Sequence, residues 1–134
     1  MTKRIVVEFA DKSFHAVLFE EQAPVICASI WNALPLEGPA TNTTWSGDML
    51  RLWVTIPEPQ ERENMSQLQN PGDIIFVHKW NGLRFVYGQA RMQGPSGAHP
   101  TPLVGRLLDG VEHLAVFAKR VEWEGARPMR MRRP

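Results

Sequence analysis

Residues 73–87 read Asp73-Ile74-Ile75-Phe76-Val77-His78-Lys79-Trp80-Asn81-Gly82-Leu83-Arg84-Phe85-Val86-Tyr87. Two apolar runs flank an Asn-Gly pair, and the left-handed backbone of a tight hairpin turn is open to Asn and Gly but closed to most other residues. The stretch is therefore a β-hairpin, with Asp73 to His78 leading out and Leu83 to Tyr87 returning. Gly88 marks a bulge or a close backbone approach, and Gln89 to Met92 carry the strand onward. Upstream, Asn70-Pro71-Gly72-Asp73 has turn chemistry.

The same period of two continues outward. From Met49 to Ile56, Leu50, Leu52, Val54 and Ile56 alternate with Met49, Arg51, Trp53 and Thr55, until Pro57 and Pro59 end the pairing. A Thr-rich extended segment, Ala40 to Trp45, precedes this strand and turns into it through Ser46-Gly47-Asp48. Arg4 to Phe9 and Phe14 to Glu20 form an opening hairpin around Ala10-Asp11-Lys12-Ser13. Its His15, on the less apolar face, reads as a partly buried structural histidine rather than a ligand. Leu103 to Leu108, Val121 to Trp123 and Pro128 to Met131 are further extended pieces.

Two segments have helical spacing instead. Pro24 suits a first helical turn, and Ile26, Ile30, Trp31 and Leu34 recur at three- and four-residue steps until Pro35 stops them. Cys27 lies beside that stripe as a small buried thiol. After Gly110, Val111, Leu114, Ala115 and Ala118 mark the second helix. Trp31 and Trp123 read as core. Two connections are long for a compact domain, Glu58 to Gln69 and Gln93 to Pro102, and such loops are usually functional or mobile.

Roughly eight extended segments and two helices leave too little chain for separate β and α layers. A mainly antiparallel unit of this size loses its exposed edges most simply by curling into a barrel, with the helices capping its ends. A sandwich with two helices satisfies the same pattern. The 134 residues, 43% apolar and 22% charged, suit one soluble domain over 1–134. No run approaches the ~18 apolar residues of a spanning helix, and Lys3-Arg4 follow the start with no apolar signal core, so the expected compartment is the cytoplasm. The single cysteine agrees with a reducing compartment.

Of 15 basic residues, four arginines (Arg127, Arg130, Arg132, Arg133) lie in the last eight positions, which leaves 11 against 14 acids in the body. That balance gives no broad attraction to phosphate, so neither nucleic acid nor membrane is expected as a partner. Arg127 and Arg130 end a last strand, and Arg132 and Arg133 are expected as a frayed, solvated end of a basic tail over 127–134.

Several short motifs occur in a fixed order: Leu34-Pro35 with Glu37-Gly38, Trp45-Ser46-Gly47-Asp48, Glu63-Asn64, Pro71-Gly72-Asp73-Ile74, Tyr87-Gly88, and Arg120-Val121-Glu122-Trp123-Glu124-Gly125-Ala126. In this order the chain resembles the DUF3830 family, bacterial and archaeal proteins that look like cyclophilin-like small barrels, from about Ile5 to Met131. The resemblance implies a closed eight-stranded antiparallel barrel with two capping helices. Where relatives carry an arginine before the Trp-Ser-Gly run this chain has Thr44, and where they carry a Gly-Asn pair leading to phenylalanine it has Gly105-Arg106-Leu107-Leu108.

Three classes of function fit these residues. A small-molecule enzyme would use Glu63 as general acid or base, Asn64 and Ser46 as hydrogen-bond donors, and Trp45, Tyr87 and His99 around the site. Equally, Glu63 and Asn64 tie their loop to backbone amides, and Ser46 serves a turn. A peptidyl-prolyl isomerase would place Arg51 beside the prolyl nitrogen in an apolar groove, although the cyclophilin Phe-His-Arg and Phe-Met-Gln-Gly-Gly-Asp runs are absent. A non-catalytic module would hold a small molecule or short peptide on Trp45 and Trp53. Trp80, beside Lys79 in a turn, points to a contact between copies of the chain or else folds over its own hairpin. The histidines His15, His78, His99 and His113 lack metal-ligand spacing and no phosphate loop occurs, so no metal and no cofactor are expected. The expected site is a groove between the Trp45 to Trp53 hairpin and the two long connections, with Glu63 and Asn64 facing Trp45 and Tyr87.

Overall fold

The computed structural model describes residues 3–57, 59–78, 82–94 and 96–134. Its strands are β1 (Lys3–Phe9), β2 (Lys12–Leu18), β3 (Leu36–Asn42), β4 (Gly47–Leu52), β5 (Met65–Ser66), β6 (Asp73–Val77), β7 (Gly82–Ala90), β8 (Gln93–Gly94), β9 (Gly97–Ala98), β10 (Thr101–Leu107) and β11 (Arg127–Arg132). The helices are α1 (Pro24–Ala33) and α2 (Val111–Glu124), with a short 3-10 turn at Thr44–Ser46.

The hairpin read from residues 73–87 is present, antiparallel, with Val77 opposite Gly82, Ile75 opposite Arg84 and Ile74 opposite Phe85. Residues 79–81, with Trp80 and the Asn of its turn, lie outside the described residues. The large sheet runs β2-β1-β11-β3-β4-β7-β6-β10 and β10 pairs again with β2, so eight antiparallel strands close a barrel, not a sandwich; β5 adds to β10 outside the ring. Closure leaves none of the eight with a free edge.

Period two decides what fills the barrel. Leu50, Leu52, Ile74, Phe76, Leu83, Phe85 and Tyr87 face inward and join Ile5, Val7, Phe9, Leu18, Met129 and Met131 in one core. Ile26, Cys27 and Ile30 of α1 and Leu114, Ala118 and Val121 of α2 close that core from outside. A second, smaller cluster lies on the outer face of β4, β7 and β6, from Met49, Ile75, Val77, Val86 and Met92. Every residue of β6 is consequently buried, which a strand needs cover on both faces to achieve.

Three segments depart from the periodicity. Val121 to Trp123, expected as a strand, is the last turn of α2; Val121 faces the core at helical spacing from Leu114 and Ala118, which turns Trp123 outward to 85% exposure rather than into the core. β3 begins at Leu36, ahead of the expected Ala40, because Pro39 stands opposite Pro128 of β11 and the two residues that lack an amide hydrogen share one rung. The C-terminal arginines are not frayed. β11 pairs with β1 through Arg132, whose Nε donates to Glu8 Oε1 at 3.2 Å, and Arg133 Nη2 donates to the Trp31 carbonyl at 2.9 Å. His15 is exposed and bonded to Asp109, not partly buried.

Candidate functional site

Glu63 stands at the N-terminus of α1. Its Oε2 accepts the Val25 amide at 3.1 Å and its Oε1 the Ile26 amide at 2.9 Å. A helix begins with amides that lack intrahelical partners, and α1 has none from its own N-cap, Ala23, so a carboxylate brought in from residue 63 supplies what the local sequence omits. Asn64 Nδ2 donates to the Leu103 carbonyl at 2.8 Å. The pair fastens the first long connection to α1 and β10. Glu63→Ala is expected to lower stability by about 1 kcal/mol, measured by urea denaturation, with ligand affinity unchanged.

Tyr87 is also away from the expected groove. It faces into the barrel core and its hydroxyl donates to Asn42 Oδ1. Burial, with Asp48 and Glu122 nearby, raises its pKa. Ser46 Oγ accepts the Gln93 amide at 3.1 Å and lies 3.8 Å from Met92 Sδ, tying the 3-10 turn to the second long connection. The expected convergence of Glu63, Asn64, Trp45 and Tyr87 therefore does not form: one end of the set holds a helix, the other packs inside, and Trp45 lies outside, 61% exposed.

Two features of the outer face bring other residues together. The first is a cleft of about 300 Å³ where both long connections meet β6. Phe76, Val77 and Pro100 give it apolar walls, while His78, His99 and Arg62 supply polar groups. His78 Nε2 donates to the Glu61 carbonyl at 2.7 Å, and its ring meets Phe76 edge-on at 5.1 Å. His99 Nδ1 lies 3.2 Å from the Pro100 carbonyl. Thr101, in the wall, is buried, and its Oγ1 has no hydrogen-bond partner among the described residues.

The second is a row of arginine and tryptophan across β4 and β7. Arg51 stands opposite Arg84, with the Arg51 guanidinium 3.5 Å from the Trp53 ring centre and that of Arg84 5.9 Å from Trp45. Trp53 Nε1 donates to Thr41 Oγ1 at 2.7 Å. Arg51, Trp45 and Trp53 thus do share one face. Arg84, which the sequence reading did not single out, is the residue beneath them; its signal was a lone charge inside an apolar returning strand. It is 1% exposed, and Nε and Nη1 have no hydrogen-bond partner among the described residues. Burial first, then the like charge of Arg51, push its pKa down to about 10.

Asp73 is buried beside this face. Its Oδ2 accepts the Asn70 amide at 2.9 Å, closing the predicted turn, and its Oδ1 accepts Arg106 Nε at 3.0 Å. Among the described residues no three His, Cys, Asp or Glu side chains group to hold a metal ion, and no helix is long and apolar enough to cross a membrane.

The family model for DUF3830, a protein family of unknown function, matches residues 5–133. The chain belongs to the DUF3830 family. No curated protein sequence matches it. Among solved structures, this DUF3830 barrel is similar to McbB in its complex with tryptophan, with a TM-score of 0.78 at 20% identity over 96% of this chain and 44% of McbB. The chain therefore spans less than half of that protein. It is also similar to the hypothetical protein AF2241 from Archaeoglobus fulgidus, with a TM-score of 0.70 at 18% identity over 99% of this chain and 95% of that one. At these identities the likeness is one of fold.

Proposed function

We propose that this DUF3830 barrel is a binding protein that takes a small polar molecule or a short peptide in the cleft between β6 and the two long connections. The observation that carries the reading is the cleft itself, about 300 Å³ with apolar walls and a few polar groups, the usual make-up of a small-ligand site. McbB, a neighbour in fold, is known in complex with tryptophan, which supports a small-ligand role for the architecture. Binding is favoured over catalysis because the described lining has no carboxylate, and His78 and His99 each sit beside a backbone carbonyl rather than a nucleophile. The isomerase alternative needs a cation in the apolar groove, whereas Arg51 borders a separate depression with Trp53 and Glu37.

A thermal-shift screen against metabolites and short peptides tests this. A ligand at a hundredfold excess over its Kd adds about 2.7 kcal/mol of stability. Ala98→Trp, which places an indole at the exposed wall of the cleft, is expected to leave the melting temperature of the free protein unchanged and to abolish the ligand-induced shift. A hit whose shift survives Ala98→Trp binds elsewhere and removes the cleft reading.

A further inference from the structure

We infer that the ligand of the cleft beside β6 is a small α-hydroxy acid, its carboxylate received by Arg62 and its hydroxyl by the imidazoles of His78 and His99; this rests on the cleft being the binding site and narrows its occupant to one chemical class.

The cleft lacks one kind of group. Its described lining holds a guanidinium and two imidazoles but no carboxylate. The two nearest acids in sequence are otherwise placed: both oxygens of Glu63 accept α1 amides, and Glu61 meets His78 through its backbone carbonyl. Arg62 is exposed and has no hydrogen-bond or ion-pair partner among the described residues. A guanidinium so placed keeps its fork of donors free, and a carboxylate matches that fork with two parallel N–H bonds.

The histidines set a second requirement. A carbonyl oxygen has no proton to give, so the ring proton must sit on His78 Nε2, 2.7 Å from the Glu61 carbonyl, and on His99 Nδ1, 3.2 Å from that of Pro100. In each neutral ring the other nitrogen is then an acceptor. His78 Nδ1 and His99 Nε2 have no partner among the described residues. A Cβ at Gly94, which also lines the cleft, would lie 3.0 Å from His99 Nε2, so the ring crosses backbone that only the missing side chain leaves open.

Two acceptors call for a donor. A carboxylate alone would face their lone pairs, and an ammonium would stand near Arg62 with no described carboxylate in the lining to balance it, so a neutral hydroxyl fits. Exposed Ala98 and Pro100 offer apolar surface to the rest of the molecule. At about 300 Å³ the cleft is at the small end for ligand sites, which suits a single ring or branched chain with its two polar groups on neighbouring carbons.

The test is calorimetric titration of the full chain with phenyllactate and with α-hydroxyisocaproate, each against the matched acid without the hydroxyl, the matched amino acid and the matched diol. At least one hydroxy acid is expected to bind about tenfold or more tightly than its three counterparts, the usual loss when one polar partner is missing. Arg62→Gln, at an exposed position, should cost that acid about tenfold, leave the diol unaffected and leave the melting temperature unchanged. His99→Phe should erase the preference for the hydroxyl. In the wild type, binding should shift the ¹⁵N resonance of His99 Nε2, which decides the role of that ring should the variant fail to fold. Absence of binding by both hydroxy acids up to about 10 mM, equal or tighter binding of the plain acid or the amino acid, or undiminished binding by Arg62→Gln overturns the proposal. Ala98→Trp separates this failure from that of the cleft. A ligand of another class that Ala98→Trp excludes keeps the cleft and removes the hydroxy acid, whereas a hydroxy acid that binds Ala98→Trp as well as the wild type removes both.

Discussion

Gly105→Ala is expected to destabilise the barrel by about 3 kcal/mol or more, the upper range for forcing extra atoms into a packed interior. Gly105 pairs with Leu18 at the β2–β10 seam, the last pairing needed to close the ring. A Cβ there would lie 2.4 Å from the Val17 carbonyl oxygen, a backbone atom that cannot rotate away. The strands must separate to admit it, and separation breaks ladder hydrogen bonds on both sides. At this chain length the loss corresponds to a fall in melting temperature of roughly 10 °C, measurable by calorimetry or circular dichroism. A melting temperature within 2–3 °C of the wild type would mean that the seam is loose, and the closed barrel would then no longer account for the stability. The position also lies in the Gly105-Arg106-Leu107-Leu108 stretch. The next residue, Arg106, bonds buried Asp73, so this stretch joins β10 to the β6 turn as well as to β2.

The seam shows which parts of the fold are legible along the chain. The 73–87 hairpin needs only local alternation and a turn, so its strands and faces follow from residue order. The pairing of β2 with β10 joins residues nearly ninety positions apart, and no local pattern marks it; it follows from the need to remove edges, while the strand pattern alone fits a sandwich as well. Val121 to Trp123 misled for a related reason. Three residues cannot distinguish a period of two from one of 3.6, and the helix continued because Val121 reached the core in step with Leu114.

The candidate site was legible only in its individual residues. Arg51, Trp45, Trp53 and His99 stood out by type, but their grouping depends on strand register and on the path of the long loops. Register sets Arg84 against Arg51, and without it a buried arginine looks like one more charge on a strand. Glu63 was read as an acid or base because a carboxylate on a long loop has reach. Its partners are helix amides 37 and 38 residues away, and a helix that starts at Ala23-Pro24 without a side-chain cap was the clue that one had to arrive from elsewhere.

Native Cys27 is expected to react with a thiol reagent such as 5,5′-dithiobis(2-nitrobenzoate) at pH 8 at least ~10³-fold more slowly than Cys27 in the urea-unfolded chain. Burial raises its pKa from the ordinary 9.0 to about 12, with the carboxylates of Glu63 and Glu20 adding to the effect. Only the thiolate attacks, so three pH units remove that factor from the reactive population. The thiol is 2% exposed and its Sγ donates to the Val104 carbonyl at 3.3 Å, so steric protection acts in the same direction. The same shift makes stability depend on pH in the alkaline range. The folded-state pKa is raised, so the contribution of Cys27 is complete below pH 9, where both states hold the proton. It is lost as pH climbs from 9 towards 12, because the unfolded chain releases its proton first; the whole difference amounts to about 4 kcal/mol. Tyr87, with its pKa also raised, pushes in the same direction above pH 10. Urea midpoints that fall steadily over this range, with a smaller slope in Cys27→Ala, are the expected result. Rapid labelling of the native protein at pH 8 would show instead that α1 lifts from the barrel often enough to expose its inner face, and that Glu63 holds the helix weakly.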